Sequence, residues 1–210
     1  MIRFRIRFSK TGDLRFIGHR DLMESFFRLL RRASIQPAYS QGFHPKPKVS
    51  FPAALPLGVV GENEVLEMEM PDVGEGLEAE TIRSRLQKYT IPFLDFLSVE
   101  RIPEGGKKGK VLSFTYQIFV PLERRRMLAE RMDWLSAQTS HLFQRVGREK
   151  TVDLKKSLLA LRWEAEGRLE FQLRGDLNDG CGPRDILSVL DLADLETCGS
   201  VLVRKNVHIG

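Results

Sequence analysis

Met1-Ile2-Arg3-Phe4-Arg5-Ile6-Arg7-Phe8 opens the chain with a strict alternation of apolar and basic residues. A period of two puts Ile2, Phe4, Ile6 and Phe8 on one face of a strand and the arginines on the other. A secretory signal would follow its charged start with a continuous apolar core, so the segment reads as a strand. A second alternation, Leu66, Met68 and Met70 against Glu67 and Glu69, predicts another strand over 64–70. Between the two, Leu22, Phe26, Leu29 and Leu30 recur at helical spacing and predict a helix over 21–32. Asp21 and Glu24 have the spacing of a capping box, or at the least put negative charge in the first turn. After a Gly/Pro-rich loop and the apolar stretch 49–57 come the strand at 64–70, a helix over 78–89 and a strand over 94–101. The order is strand, helix, strand, strand, helix, strand.

Glu104-Gly105-Gly106-Lys107-Lys108-Gly109-Lys110 has the composition of a linker. Beyond it the same order is expected again. Residues 113–121 read as a strand and 123–138 as a helix. Residues 156–164 and 168–174 read as a hairpin across Ala165-Glu166-Gly167, followed by a helix over 183–190 with Pro near its start and a strand over 200–208. The expected fold is α+β, with two ferredoxin-like (split βαβ) units whose antiparallel sheets carry helices on one face. Their boundaries are 1–104 and 113–210, with 105–112 as the Gly/Lys linker.

The chain has 210 residues and 42% hydrophobic composition, ordinary for a packed globular protein. No apolar run approaches the roughly 20 residues of a membrane-spanning helix, so no membrane partner is expected. Cys181 and Cys198 form no CxxC pair and stand near no histidine couple, so neither a metal site nor a disulfide framework is indicated. A reducing cytoplasm is the expected location. The net charge of +5 is striped along the chain: residues 1–60 hold 11 Lys/Arg against 3 Asp/Glu, 61–104 hold 4 against 11, 105–162 hold 13 against 5, and 163–210 hold 5 against 9. A field that attracts anions follows if the basic blocks lie together. Acidic and basic stretches pairing with one another is the competing explanation.

One basic, aromatic-rich segment, 18–50, is the candidate site. Arg28, Arg31 and Arg32 lie three and four positions apart, a spacing that predicts one cationic helix face, with Arg20 near its start. Arginine offers a bidentate fork to phosphate oxygens. The loop Tyr39-Ser40-Gln41-Gly42-Phe43-His44-Pro45-Lys46-Pro47-Lys48 follows. Its prolines stiffen the backbone, and Tyr39, Phe43 and His44 place rings among cations, with Gln41 as a further polar contact. Single-stranded RNA needs that combination, because bases stack while phosphates pair. A structural loop with Tyr39 or Phe43 buried is the alternative.

Three stretches closely resemble the radical SAM-linked protein family, domain of unknown function 2344. They are Ser9-Lys10-Thr11-Gly12-Asp13-Leu14-Arg15-Phe16-Ile17-Gly18-His19-Arg20-Asp21-Leu22-Met23 with its continuation to Ala33, Tyr39 to Lys48, and Ala54-Leu55-Pro56-Leu57-Gly58-Val59. Members of that family are fused to, or encoded with, cobalamin-binding radical SAM proteins. The resemblance therefore implies a separate radical SAM protein as partner. This chain has no CxxxCxxC set for an iron–sulfur cluster, so radical chemistry would belong to that partner and no cofactor is expected here.

Three functions follow. The first is a non-catalytic RNA-binding accessory that presents tRNA or rRNA to the radical SAM partner, using Arg20, Arg28, Arg31, Arg32, Tyr39, Gln41, Phe43, His44, Lys46 and Lys48. The second is a metal-independent endoribonuclease in which His19 and His44 act as general acid and base. The third is a protein-interaction module for the radical SAM enzyme. Some pseudouridine synthases built from paired ferredoxin-like units carry a catalytic aspartate in the loop after the first helix. Residues 40–50 contain no acid, which argues against that chemistry. Gly180-Cys181-Gly182-Pro183 lacks the spacing and lysine of a phosphate loop. Trp134 and Trp163 are expected in the core, while Arg124, Arg125 and Arg126 at a helix start suit a partner or internal pairing equally.

Overall fold

A computed structural model describes residues 1–72, 78–145, 151–177 and 180–210. The chain divides into two compact units, Met1–Lys110 and Val111–Gly210.

In the first unit, β1 (Ile2–Lys10) leads through a short 3-10 turn (Gly12–Phe16) into α1 (His19–Arg32). There follow β2 (Val49–Ser50), β3 (Val60–Met70), α2 (Ala79–Tyr89) and β4 (Leu94–Ile102). The strands run β4-β1-β3 with β2 on β3, and every neighbouring pair is antiparallel. The register follows from the two alternations. Phe4 lies opposite Met68 and Ile6 opposite Leu66, all buried, while Arg3 faces Glu69 and Arg5 faces Glu67. Those charged pairs close at 3.1 and 3.0 Å. Part of the first basic block is thus answered by the acidic block that follows it, and a slip of one residue would exchange the apolar and charged faces of β1.

The apolar stripe of α1 covers this sheet. Phe26 meets Phe8, Phe51 and Phe96 edge-on at 5.2, 5.3 and 5.8 Å, and Ile82 and Leu86 of α2 complete the layer. The helix starts at His19 rather than at residue 21, and its N-cap, Gly18, makes no side-chain capping bond. The expected capping box is therefore absent. Asp21 sits inside the first turn, where it supplies only charge.

The second unit contains β5 (Val111–Phe119), α3 (Arg125–Ala137), β6 (Leu142–Gln144), β7 (Thr151–Asp153) and α4 (Leu154–Ser157). It continues with β8 (Leu158–Glu164), β9 (Arg168–Arg174), α5 (Pro183–Val189) and β10 (Val203–Ile209). Its main strands run β10-β5-β9-β8, again antiparallel throughout. With β6 and β7 left out of the count, the strands of each unit run in the order fourth, first, third, second. The fold is α+β with antiparallel sheets.

Three features of this unit differ from expectation. β5 begins inside the stretch read as linker. The pair β6–β7 is an addition. The strand expected from residue 156 begins at Leu158, because the Asp153 side chain accepts from Lys155 N and winds residues 154–157 into a helical turn. Trp134 and Trp163 are also not core residues: they are 38% and 41% exposed. Arg131 lies over the first indole at 5.7 Å and Arg125 over the second at 5.4 Å, so a cation covers each apolar face. Arg124 pairs with Asp194 and Arg126 makes an exposed contact with Glu130, so the basic start of α3 is matched in part within the unit. Among the described residues no helix is long and apolar enough to cross a membrane.

Candidate nucleic-acid interface

The loop between α1 and β2 is a hydrogen-bonded finger. Ser40 N donates to Lys46 O at 2.9 Å, Lys46 N donates to Ser40 Oγ at 3.0 Å, and Lys48 N donates to Ala38 O at 2.6 Å. The two limbs are stitched to β3 at their base, where Ala38 N donates to Glu69 O and Glu69 N to Lys48 O. The sequence favours this shape. Pro45 and Pro47 restrict one limb, and Gly42 adopts φ 130° at the turn, a region that suits glycine.

All five tip residues, Gln41 to Pro45, are exposed. Phe43 is 102% exposed and makes no ring contact among the described residues, and Tyr39 at the base is 52% exposed. The alternative of a buried Tyr39 or Phe43 is therefore excluded. A phenylalanine held in water by an ordered backbone carries a hydration cost that no packing in this chain offsets.

The cations differ in how free they are. Lys48 Nζ lies 3.2 Å from Glu69 Oε2, and Arg3 reaches the same carboxylate. Burial favours the neutral form of Glu69, but the hydrogen bonds from Lys48 and Arg3 outweigh it and hold its pKa below the usual glutamate value. Lys46 and Arg20 are exposed and have no ion pair among the described residues. Arg28 touches Glu24 only at 3.9 Å, with both side chains well exposed, a contact worth little.

The three helix arginines do not form one ridge. At about 100° per residue, Arg31 and Arg32 diverge around the axis. Arg31 lines a groove of about 780 Å³ with Phe27, Leu30, Ile35, Tyr39 and Pro47, whereas Arg28 and Arg32 line a separate depression of about 270 Å³ against Ile91 and Leu94. Lys48 lines a third, with Arg3 and Lys108 around Glu67 and Glu69. Arg31 and Tyr39 are thus brought together, and Arg28 and Arg32 are separated from them.

The family profile described as uncharacterized protein conserved in bacteria (DUF2344) matches residues 3–183, which include the whole of α1 and the finger. The chain belongs to this family. A comparison with curated proteins finds no match for this DUF2344 member. Among solved structures, a proposed glycine cleavage system transcriptional repressor is similar over 97% of this chain and 98% of that one, at 9% identity and a TM-score of 0.24. That similarity is too low to carry an argument about fold or function.

The two histidines occupy different settings. His19 is half-buried, with its ring edge-on to Phe51 at 5.2 Å, as a packed side chain would be. His44 stands exposed at the finger tip. No hydrogen bond or ring contact joins them among the described residues. Sequence reasoning missed Phe27, Ile35, Pro37 and Pro71, which wall the groove beside Arg31. The missed signal was the helix end. Ser34 takes a left-handed φ of 54°, its N–H donates to Arg31 O, and Ile35 N donates to Leu30 O, which turns the chain back over the helix.

Proposed function

We propose that this protein is an RNA-binding accessory that holds tRNA or rRNA through its finger and the adjoining face of α1, and presents it to a separate cobalamin-dependent radical SAM enzyme. The fully exposed Phe43 carries the reading. It sits on an ordered finger beside His44 and Lys46, with Tyr39 and Arg31 at the base, and it has no packing role. Rings that stack on bases, set among cations that pair with phosphates, are what a sequence-tolerant RNA surface requires. The radical SAM partner rests on the family resemblance. We further propose that each unit is a ferredoxin-like sandwich, a reading supported by the shared strand order of the two sheets. The nuclease alternative has less support, since His19 is engaged with Phe51 while His44 stands apart from it.

Binding of labelled tRNA and rRNA fragments over a salt series tests the proposal. Affinity should fall steeply with salt, with a slope of about 0.7 per phosphate neutralised on single strands, and Lys46→Ala should shed about one such increment. Absence of RNA binding at low salt would overturn the reading. Radical SAM protein captured equally well after nuclease treatment would then favour a protein-interaction module, and cleavage lost in His44→Ala would favour a nuclease.

A further inference from the structure

The groove beneath the finger has features that RNA binding in general does not explain. Its volume, about 780 Å³, lies within the roughly 300–1,000 Å³ range of small-ligand sites. The lining is mostly apolar: Leu30, Ile35, Pro37 and Pro47 contribute flat or branched surfaces, Tyr39 adds a half-exposed ring at the rim, and Ser34 and Gln36 are the uncharged polar members. Among the described residues Arg31 is the charged side chain that lines this groove, and Arg85 of α2 reaches its edge at Ser34 O. Arg31 has no acidic partner among the described residues, and its Nε reaches only its own helix at Phe27 O, 3.4 Å away. The guanidinium is therefore left to an anion that arrives with the occupant.

The groove is also firmly built. The left-handed Ser34 and the bonds to Arg31 O and Leu30 O cap the helix beneath it. Arg85 Nη1 ties Ser34 O to α2 at 3.5 Å, and Ala38 N anchors the far wall to Glu69 O.

We propose that this groove receives one unpaired nucleobase of the bound RNA, stacked against Tyr39, with Arg31 holding the phosphate of the same nucleotide. The inference rests on the RNA-binding reading and narrows it to single-stranded or locally unpaired RNA. In a duplex both faces of each base are covered by stacking neighbours, so only a base swung out of the helix can enter a concave site. An acidic peptide would satisfy Arg31, but it would leave the flat apolar walls without a flat partner.

The test compares a single-stranded oligoribonucleotide with its blunt duplex, using the full chain and three variants. Gln36→Trp places an indole in the groove from an exposed position and removes no core contact, while Tyr39→Ala removes the stacking ring. Each should weaken single-strand binding by about tenfold and the weaker duplex binding by much less. Lys46→Ala, outside the groove, should weaken both RNAs alike. Equal affinity for strand and duplex, or no effect of Gln36→Trp on single-strand binding, would overturn the groove while leaving RNA binding intact. Poly-glutamate that binds the full chain and loses as much affinity as the RNA in Gln36→Trp would also overturn it. If neither RNA binds at all, the functional reading itself has failed.

Discussion

Replacing Phe43 by alanine separates a binding role from a structural one. The side chain is 102% exposed and touches no other ring, and the finger closes through Ser40, Lys46, Ala38 and Lys48 without it. Its removal exposes no apolar surface and opens no cavity, so the folding free energy should change by less than about 0.5 kcal/mol. A base stacked on that ring contributes about 1–3 kcal/mol. Since about 1.4 kcal/mol is a factor of ten, Kd should rise by roughly 5- to 150-fold. Fluorescence anisotropy with a labelled single-stranded oligoribonucleotide at low salt reads the binding term, and urea unfolding followed by circular dichroism reads stability. Phe43→Tyr, which keeps a stacking ring, should restore most of the affinity. A Kd within about twofold of the parent would refute the role of the ring. A stability loss above about 1 kcal/mol would show that Phe43 packs against the protein after all.

Phe26→Ala provides the contrast: its ring is 1% exposed and meets three other aromatic rings. It should lose about 3–5 kcal/mol in urea unfolding, and a loss below about 2 kcal/mol would contradict the aromatic cluster as the centre of the first unit. Ser34→Gly relieves a left-handed serine at the end of α1 and should stabilise the protein by about 0.5–1 kcal/mol, with a fall in melting temperature as the refuting result. Glu69 gives a pH signature. Its folded pKa lies below the unfolded glutamate value of about 4.3, so its contribution is complete above that value and is lost as the pH falls through the folded pKa. Acid unfolding of Glu69→Gln should therefore show a shallower dependence on pH over that interval, and an unchanged profile would remove the Lys48–Glu69–Arg3 cluster from the account.

Much of the fold could be read from periodicity. The alternation in 2–8 specified which residues of β1 are buried, and the stripe Leu22, Phe26, Leu29 and Leu30 specified the face of α1, because burial on one side of a regular element repeats with its geometry. Several of the features that escaped are ones in which local detail overrides the periodic pattern. Asp153 winds a helical turn where a strand was expected. Arg125 and Arg131 cover indoles that were read as core. The helix beginning at His19 leaves Asp21 without a capping role.

At the candidate site, the types of residue were legible and their arrangement was not. The amino-acid order by itself determined that 18–50 would concentrate cations and aromatic rings, that its loop would be stiffened by proline, and that no acid would stand in it, because these are matters of composition and backbone chemistry. Tertiary structure alone decided which charges remain free. Glu69 on β3 answers Lys48, while Arg31 and Lys46 meet no carboxylate among the described residues. Tertiary structure also decided that Arg31 shares a groove with Tyr39 while Arg28 and Arg32 line another depression. The reason is geometric: an ion pair or a concave wall is made by residues distant in sequence, and local spacing does not encode which of them meet.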